Sequence, residues 1–180
     1  MQLIKGDLLD GKWDFACHVC NNHTTMGSGV AYFLKKKWPE VYAADLEADL
    51  DWRENDPTDK MGTFSIATLN DYRAVYNLYA MWGIGNDGHP LRRNCSYDSL
   101  FNAMFTMCED IIKKNPLWNK IVIGVPYMMG CARAGGSWPI VESIIDTLEA
   151  YFEEITFDIY QIEEFETSAQ STQPLIKTQL

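Results

Sequence analysis

The sequence predicts a three-layer α/β domain, with a mixed sheet of about six strands between helices on both faces. Three observations predict this fold. A strand, a glycine-bearing loop and an amphipathic helix follow one another twice, over residues 15–38 and 121–148. The segment Ile121–Val125 is almost wholly apolar, as is typical of a central strand covered on both faces. Two β-branched and aromatic segments flank Asn70-Asp71, which favours an antiparallel hairpin.

The first part of the chain predicts two strands and two helices. Short strands are expected at Gln2–Ile4 and Phe15–Val19, with a turn-like polar segment between them. A helix is expected over Gly29–Trp38, because its apolar residues recur at i, i+3 and i+4 and Pro39 ends the run. The segment Val41–Leu50 predicts a second helix.

The middle of the chain predicts a hairpin, a long loop and a helix. The hairpin strands are Thr63–Leu69 and Ala74–Tyr79. The glycine-punctuated segment Trp82–Pro90 is too irregular for a strand or a helix, and we expect it to overhang a cleft. Apolar residues at helical spacing over Leu100–Ile111 predict a helix, which Asn115-Pro116 ends.

The last part of the chain completes the predicted domain. A second glycine-containing turn spans Pro126–Ser137 and leads into a helix whose apolar face runs through Ile140–Leu148. The alternating segment Thr156–Ile162 predicts a final strand. We expect residues 1–165 to form one domain and residues 166–180, which are mostly polar, to form a flexible tail.

Composition limits the classes of ligand. A chain of 180 residues, of which 47% are hydrophobic, is long enough to bury a core. The net charge of −10 opposes attachment to nucleic acid or to an anionic membrane, so we expect neither as a partner. An anionic ligand must therefore be held by local donors, such as the N–H groups at the start of a helix.

The cysteines indicate a reducing environment. Their number, five, is odd and their spacing is irregular, which favours free thiols over a disulfide framework. Cys17 and Cys20 lie on opposite faces of a strand, so with His18 and His23 they do not predict a metal site. The segment from Met1 to Trp13 lacks an apolar signal region, and no run approaches about 18 apolar residues. We therefore expect a cytoplasmic protein without a metal.

Two loops carry the candidate site. The first spans residues 18–31 and contains Gly27 and Gly29, and the second spans residues 124–138 and contains Gly130. Glycine lets the backbone approach a ligand closely, and a helix that follows directs free N–H groups and the positive end of its dipole at a phosphate. Each loop alone is equally consistent with an ordinary tight turn. Side by side, the two loops would hold a pyrophosphate.

Together with Gly6-Asp7-Leu8 after the first strand, these loops resemble the macro domain family over most of residues 2–162. The most similar branch contains the ADP-ribose-1''-phosphate phosphatases and related small deacylating macro domains, which share a histidine-containing strand, a methionine-glycine loop and a final Ile-Tyr strand. The resemblance implies a macro-like fold that binds ADP-ribose derivatives without a cofactor. It also allows an ADP-ribosylated protein as a partner.

The resemblance implies a set of ligand-binding residues. Asp7 would accept the adenine amino group, Asn21 would hold hydroxyls of the distal ribose, and Tyr160 would stack on adenine. The same residue types also fit a turn aspartate, an Asx turn and a core tyrosine. The other implied contacts are Leu8, Met26, Gly27, Ser28, Gly29, Val30, Gly130, Cys131, Ala132, Arg133 and Ala134.

The resemblance also implies candidate catalytic residues. His18 stands where the phosphatase branch carries a histidine, and an imidazole that titrates near pH 6.5 can transfer protons. Residue type and position, rather than the resemblance, add two further candidates. Arg133 in the second loop could form bidentate bonds to a terminal phosphate, and Asp87 in the glycine-punctuated loop could be the partner of His18, because the second loop offers no obvious carboxylate. The alternatives are a core histidine and a solvent-exposed arginine. We predict a phosphoric monoester hydrolase that converts ADP-ribose-1''-phosphate to ADP-ribose.

The chain departs from the deacylating branch at two places. That branch carries a lysine where this chain has Ala80-Met81-Trp82, and an aspartate in the second loop where Ala134 or Ser137 stands. The lysine–aspartate mechanism is therefore not expected. Two other functions remain open at this point: a module that binds ADP-ribose or ADP-ribosylated protein without turnover, and a hydrolase of ADP-ribosyl esters.

Overall fold

The computed structural model describes residues 1–52, 60–70, 72–84 and 93–162. The strands are β1 (Gln2–Lys5), β2 (Phe15–Asn21), β3 (Phe64–Asn70), β4 (Arg73–Met81), β5 (Ile121–Pro126) and β6 (Ile155–Gln161). The helices are α1 (Gly29–Lys37), α2 (Pro39–Trp52), α3 (Tyr97–Lys114) and α4 (Trp138–Tyr151), and Leu8–Asp10 forms a 3-10 helix. The predicted elements within the described ranges are confirmed, with boundaries shifted by a few residues.

The strands form one mixed sheet of six, in the order β1-β6-β5-β2-β4-β3. β2 pairs in parallel with both β5 and β4, and β6 pairs in parallel with β5 and β1. β3 and β4 form the predicted antiparallel hairpin, in which the Tyr72 N–H donates to Asn70 Oδ1 at 3.0 Å. The prediction that the apolar strand Ile121–Val125 is central is confirmed, because β5 lies between β6 and β2.

Helices cover both faces of the sheet, as predicted for a three-layer fold. Buried side chains of α3 and α4 pack with one set of strand residues, and those of α1 and α2 pack with the other. Both faces of β2 are therefore buried. Cys17 packs in the core that contains α3 and α4, and Cys20 packs in the core that contains α1 and α2. All five cysteines are free and buried.

Pro39 both ends one helix and begins the next. α1 ends with Trp38 as its C-cap, and Pro39 is the first residue of α2, two residues earlier than the sequence indicated. Proline is tolerated at the first helical position because the N–H it lacks would have no partner within the helix.

Several expectations concern residues outside the described ranges. The glycine-punctuated loop is described only as far as Ile84, and the proposed domain boundary at residue 165 and the tail 166–180 lie beyond residue 162. In the described part of the chain, no helix is both long enough and apolar enough to cross a membrane.

Gly124 in β5 allows a close approach between the sheet and the segment that precedes β2. A Cβ atom at this position would lie 2.7 Å from Trp13 Cδ1 and 2.9 Å from Leu8 Cδ1. Trp13 cannot move away easily, because its Nε1 donates to the Leu8 carbonyl at 2.8 Å and the Arg73 guanidinium lies 3.7 Å from its ring centroid.

We predict that Gly124→Ala lowers the free energy of unfolding by about 1–3 kcal/mol, as is typical of overpacking. Urea denaturation measures the change. Gly27→Ala is the matched control, because the nearest atom to its added Cβ would be 3.9 Å away. Equal stability of the two variants would contradict this account.

Candidate functional site

The site lies at the carboxyl edge of the sheet. β2, β5 and β6 run in parallel and end at this edge, so the loops that follow β2 and β5 come together there. Between them lies a cavity of about 650 Å³. A cavity of this size is within the range of small-molecule sites.

Most of the predicted ligand-binding residues line this cavity. They are Asp7, Leu8, Asn21, Gly27, Ser28, Gly29, Val30, Gly130, Ala132, Arg133, Ala134 and Tyr160. The structure therefore brings together both glycine loops, the segment after β1 and the end of β6.

The first loop presents the start of α1 to the cavity. Gly29 is the first residue of the helix and has φ +59°, a left-handed conformation that glycine adopts without strain. Ser28 is the N-cap residue, but its side chain makes no capping hydrogen bond. N–H groups in the first turn of a helix have no partner within the helix, so those of α1 are available to an anionic group in the cavity.

Asn21 is largely engaged within the first loop. Its Oδ1 accepts from the N–H groups of His23, at 2.9 Å, and of Thr25, at 3.3 Å, and its Nδ2 donates to the Thr25 carbonyl at 2.8 Å. These bonds are those of the Asx-turn alternative, and they hold the loop closed. Asn21 lines the cavity, but its amide already has three bonds to the loop.

The second loop is tightly packed against itself. A Cβ atom at Gly136 would lie 2.5 Å from the Gly130 carbonyl oxygen, so a larger residue cannot stand there without a backbone shift. The Ala134 carbonyl accepts from the N–H groups of both Asn94 and Cys95, each at 2.9 Å. The segment before α3 thus fixes the loop from outside the cavity.

Asp7 and Tyr160 both line the cavity, one after β1 and the other near the end of β6. Asp7 is the N-cap of the 3-10 helix, and its Oδ1 accepts from the Leu9 N–H at 2.9 Å. Tyr160 is only 6% exposed and belongs to the core that contains Trp13, so the ring is mostly packed inside the protein. Of the aromatic side chains that line the cavity, Phe33 is far more exposed, at 54%.

His18 does not line the cavity. It is completely buried, and its Nε2 lies 2.7 Å from Asn77 Oδ1. Burial lowers the pKa of His18 from 6.5 to about 4, against smaller raising effects of hydrogen bonds, so the imidazole is neutral at neutral pH. The core-histidine alternative fits this position, and the structure does not place His18 where it could exchange a proton with a molecule in the cavity.

Three further predicted site residues are not part of the described cavity wall. Met26 and Cys131 are 3% and 7% exposed and pack in the two cores rather than in the cavity wall. Burial raises the pKa of the Cys131 thiol to about 12, with a smaller contribution from Cys95. Asp87 lies outside the described residues.

The charge of the cavity wall is small. Among the described lining residues, Arg133 alone is basic and Asp7 alone is acidic. The Arg133 side chain, in the second loop, is exposed. The net charge of the protein is −10. An anionic ligand would therefore meet backbone donors and one guanidinium.

Sequence reasoning missed several residues of the cavity wall and the hydrogen bonds that support the wall from outside. The additional lining residues are Leu9, Val19, Cys20, Thr25, Ala31, Phe33, Met81, Ile84, Pro126, Tyr127, Met128, Met129 and Ile162. Many flank predicted residues in the loops, so contiguity was the available signal. The support by Asn22, whose Oδ1 accepts from the Gly83 N–H at 2.9 Å, depends on residues far apart in the chain and gave no signal.

A search of curated proteins finds a relative in Enterobacteria phage T4. The chain is 30% identical over 167 residues to an uncharacterized 17.5 kDa protein of the tk-vs intergenic region, and the match covers 88% of this chain and 96% of the phage protein. No family model matches the chain.

Solved structures with the same fold include macrodomains. A macrodomain protein from Streptomyces coelicolor matches 89% of this chain and 97% of its own, with a TM-score of 0.69 and 21% identity. DarTG from Thermosipho africanus, solved in complex with ADP-ribose, matches 99% of this chain and 43% of its own, with a TM-score of 0.64 and 19% identity.

The buried His18 predicts a dependence of stability on pH. In the unfolded chain the imidazole binds a proton near pH 6.5, whereas in the folded protein it does so only near pH 4. The contribution of the neutral, buried imidazole to the free energy of unfolding is fully present above about pH 6.5. It falls as the pH decreases toward 4, by up to about 1.4 kcal/mol per pH unit.

His18→Gln should reduce this slope, because glutamine can still donate to Asn77 but does not titrate. Urea denaturation at several pH values, for the wild type and the variant, measures the difference. An NMR titration of His18 with a midpoint near 6.5 would contradict the prediction.

Proposed function

We propose that this chain, which has the macrodomain fold and belongs to the same family as the 17.5 kDa phage T4 protein, binds ADP-ribose. The main observation in support is the cavity between the two glycine loops, which the first residues of α1 line. One solved neighbour, DarTG, holds ADP-ribose.

The chemistry of the cavity wall fits a nucleotide-like ligand. Its lining includes Asp7 after β1, Tyr160 near the end of β6 and Arg133 in the second loop. The pyrophosphate would lie between the loops, where the first turn of α1 offers N–H groups. The adenine would lie near Asp7, whose Oδ1 caps the 3-10 helix and whose other carboxylate oxygen can accept from the adenine amino group.

Asp7→Asn tests the orientation of the ligand. We predict that the variant loses about tenfold or more in affinity for ADP-ribose, because the acceptor for the amino group is replaced by a donor. It should lose less affinity, or gain some, for the hypoxanthine analogue of ADP-ribose, whose carbonyl oxygen stands in place of the amino group and accepts from an amide. Isothermal titration calorimetry with both ligands measures the change in preference.

Asp10→Asn is the matched control for Asp7→Asn. Asp10 lies on the same 3-10 helix but is exposed and pairs with Lys37 rather than lining the cavity. Absence of ADP-ribose binding by the wild-type protein would overturn the proposal, and an unchanged preference in Asp7→Asn would overturn the assigned orientation.

A narrower proposed activity is hydrolysis of ADP-ribose-1''-phosphate to ADP-ribose and inorganic phosphate. The observation in its favour is Arg133, the basic side chain among the described lining residues. A guanidinium can bind a terminal phosphate through two parallel hydrogen bonds and stabilise charge on it during transfer to water. His18 has no part in this proposal, because it is buried behind the wall.

We predict that Arg133→Ala lowers kcat/KM for phosphate release by about tenfold or more, with a smaller effect on the affinity for plain ADP-ribose. A colorimetric phosphate assay and calorimetry measure the two quantities. Arg93→Ala is the control, since Arg93 is an exposed arginine that stacks on Tyr97 and does not line the cavity.

The outcome of the phosphate assay also separates the alternatives. Strong binding of ADP-ribose without release of phosphate would exclude the phosphatase activity. Release of acid or protein from an ADP-ribosyl ester would then identify an ester hydrolase. Binding without turnover of either substrate would identify a module that recognises ADP-ribose or ADP-ribosylated protein.

A further inference from the structure

A buried ion-pair cluster lies behind the first loop. The side chains of Lys60 and Asp45 are each 1% exposed, and Lys60 Nζ lies 3.2 Å from Asp45 Oδ1 and 3.8 Å from Asp49 Oδ1. The Tyr79 hydroxyl donates to Asp45 Oδ1 at 2.9 Å, and Nζ lies 4.2 Å from the centroid of the Tyr79 ring. A buried ion pair is weak evidence for stability, because desolvation offsets the attraction. The role of the cluster is therefore sought in the contacts that its members make with other parts of the chain.

One of these contacts reaches the first loop. Lys60 Nζ donates to Thr24 Oγ1 at 2.9 Å, and Thr24 Oγ1 donates to Asp49 Oδ1 at 2.8 Å. Lys60 is itself held in the turn that precedes β3, since its carbonyl accepts from the Thr63 N–H at 3.2 Å and from the Thr63 hydroxyl at 2.8 Å. The ammonium thus connects the edge of the sheet to the loop.

Thr24 needs such a support. Its φ is +53°, a left-handed conformation that is unfavourable for a β-branched residue and persists only where the surroundings impose it. Its neighbours His23 and Thr25 both donate their N–H groups to Asn21 Oδ1, and Thr25 lines the cavity. A return of Thr24 to an extended conformation would break these bonds and move the cavity wall.

We propose that Lys60 is a positioning residue for the ligand site: through Thr24 it holds the first loop in the conformation that accepts the ligand. Lys60 does not line the cavity, so it acts without touching the ligand. The effect on affinity rests on the proposed binding of ADP-ribose, whereas the effect on the loop does not.

Two variants break the link at its two ends. Lys60→Met removes the ammonium and keeps a long apolar stem, and Thr24→Val removes the hydroxyl and keeps the β-branched shape. Lys60→Met removes one of the two hydrogen bonds of the Thr24 hydroxyl and Thr24→Val removes both, so in each variant the strain at residue 24 is offset less and the loop leaves its conformation more often. We expect hydrogen exchange of the His23 and Thr25 amides to become about tenfold faster or more, and the affinity for ADP-ribose to fall by a similar factor.

Tyr79→Phe is the matched control. It removes a hydroxyl bonded to Asp45 and Ser65 in the same cluster, but leaves the bond between Lys60 and Thr24 intact. We expect this variant to lose stability in urea without faster loop exchange and without loss of affinity. The double variant Lys60→Met/Thr24→Val should lose little more affinity than either single variant, because both remove the same link.

The outcomes separate this inference from the proposed function. Unchanged hydrogen exchange of the His23 and Thr25 amides in Lys60→Met or Thr24→Val would overturn the positioning role. It would also be overturned if Tyr79→Phe lowered the affinity for ADP-ribose as much as these two variants do. If Lys60→Met does not fold, Thr24→Val and Tyr79→Phe decide the matter. If the wild-type protein does not bind ADP-ribose, the proposed function fails, and the exchange rates still decide whether Lys60 holds the loop.

Discussion

The parallel pairing of β2 with both β4 and β5 is the constraint on which the position of the cavity depends. Parallel neighbours end at the same edge of a sheet, and the chain must then cross back over a face, which places helices on both sides. β2 and β5 are the two central strands of the six and are followed by the two glycine loops. The cavity therefore arises where these loops meet, beyond the carboxyl ends of buried strands.

A strongly acidic protein can bind an anion at this edge only through local donors. The net charge is −10, and the described wall of the cavity contains a single basic side chain, Arg133. The start of α1 supplies what the overall field does not, because its first-turn N–H groups and dipole act over a few ångströms. Gly29, with φ +59°, allows the backbone to turn into the helix at that point.

Behind the wall lies a continuous network of polar groups, all of them buried except the half-buried Ser65. Its members, in order of hydrogen bonding, are His18, Asn77, Ser65, Tyr79, Asp45, Lys60 and Thr24. Such a network specifies one arrangement because each unpaired member would be costly in a low-dielectric interior. His18 is neutral within this network because burial disfavours its charged form, an effect that outweighs the hydrogen bond to Asn77, which raises the pKa.

The sequence by itself determined the order of the elements, the fold class, the two loops and 12 of the 25 residues that line the cavity, since these follow from local periodicity, glycine placement and contiguity. It could not distinguish a catalytic histidine from a core histidine, because residue type is the same in both and only the packing around β2 decides burial. Nor could it relate Lys60 to Thr24, which are 36 positions apart. Tertiary structure alone decided these points, because the pKa of His18 and the conformation of the first loop depend on groups brought together by the sheet and by α2.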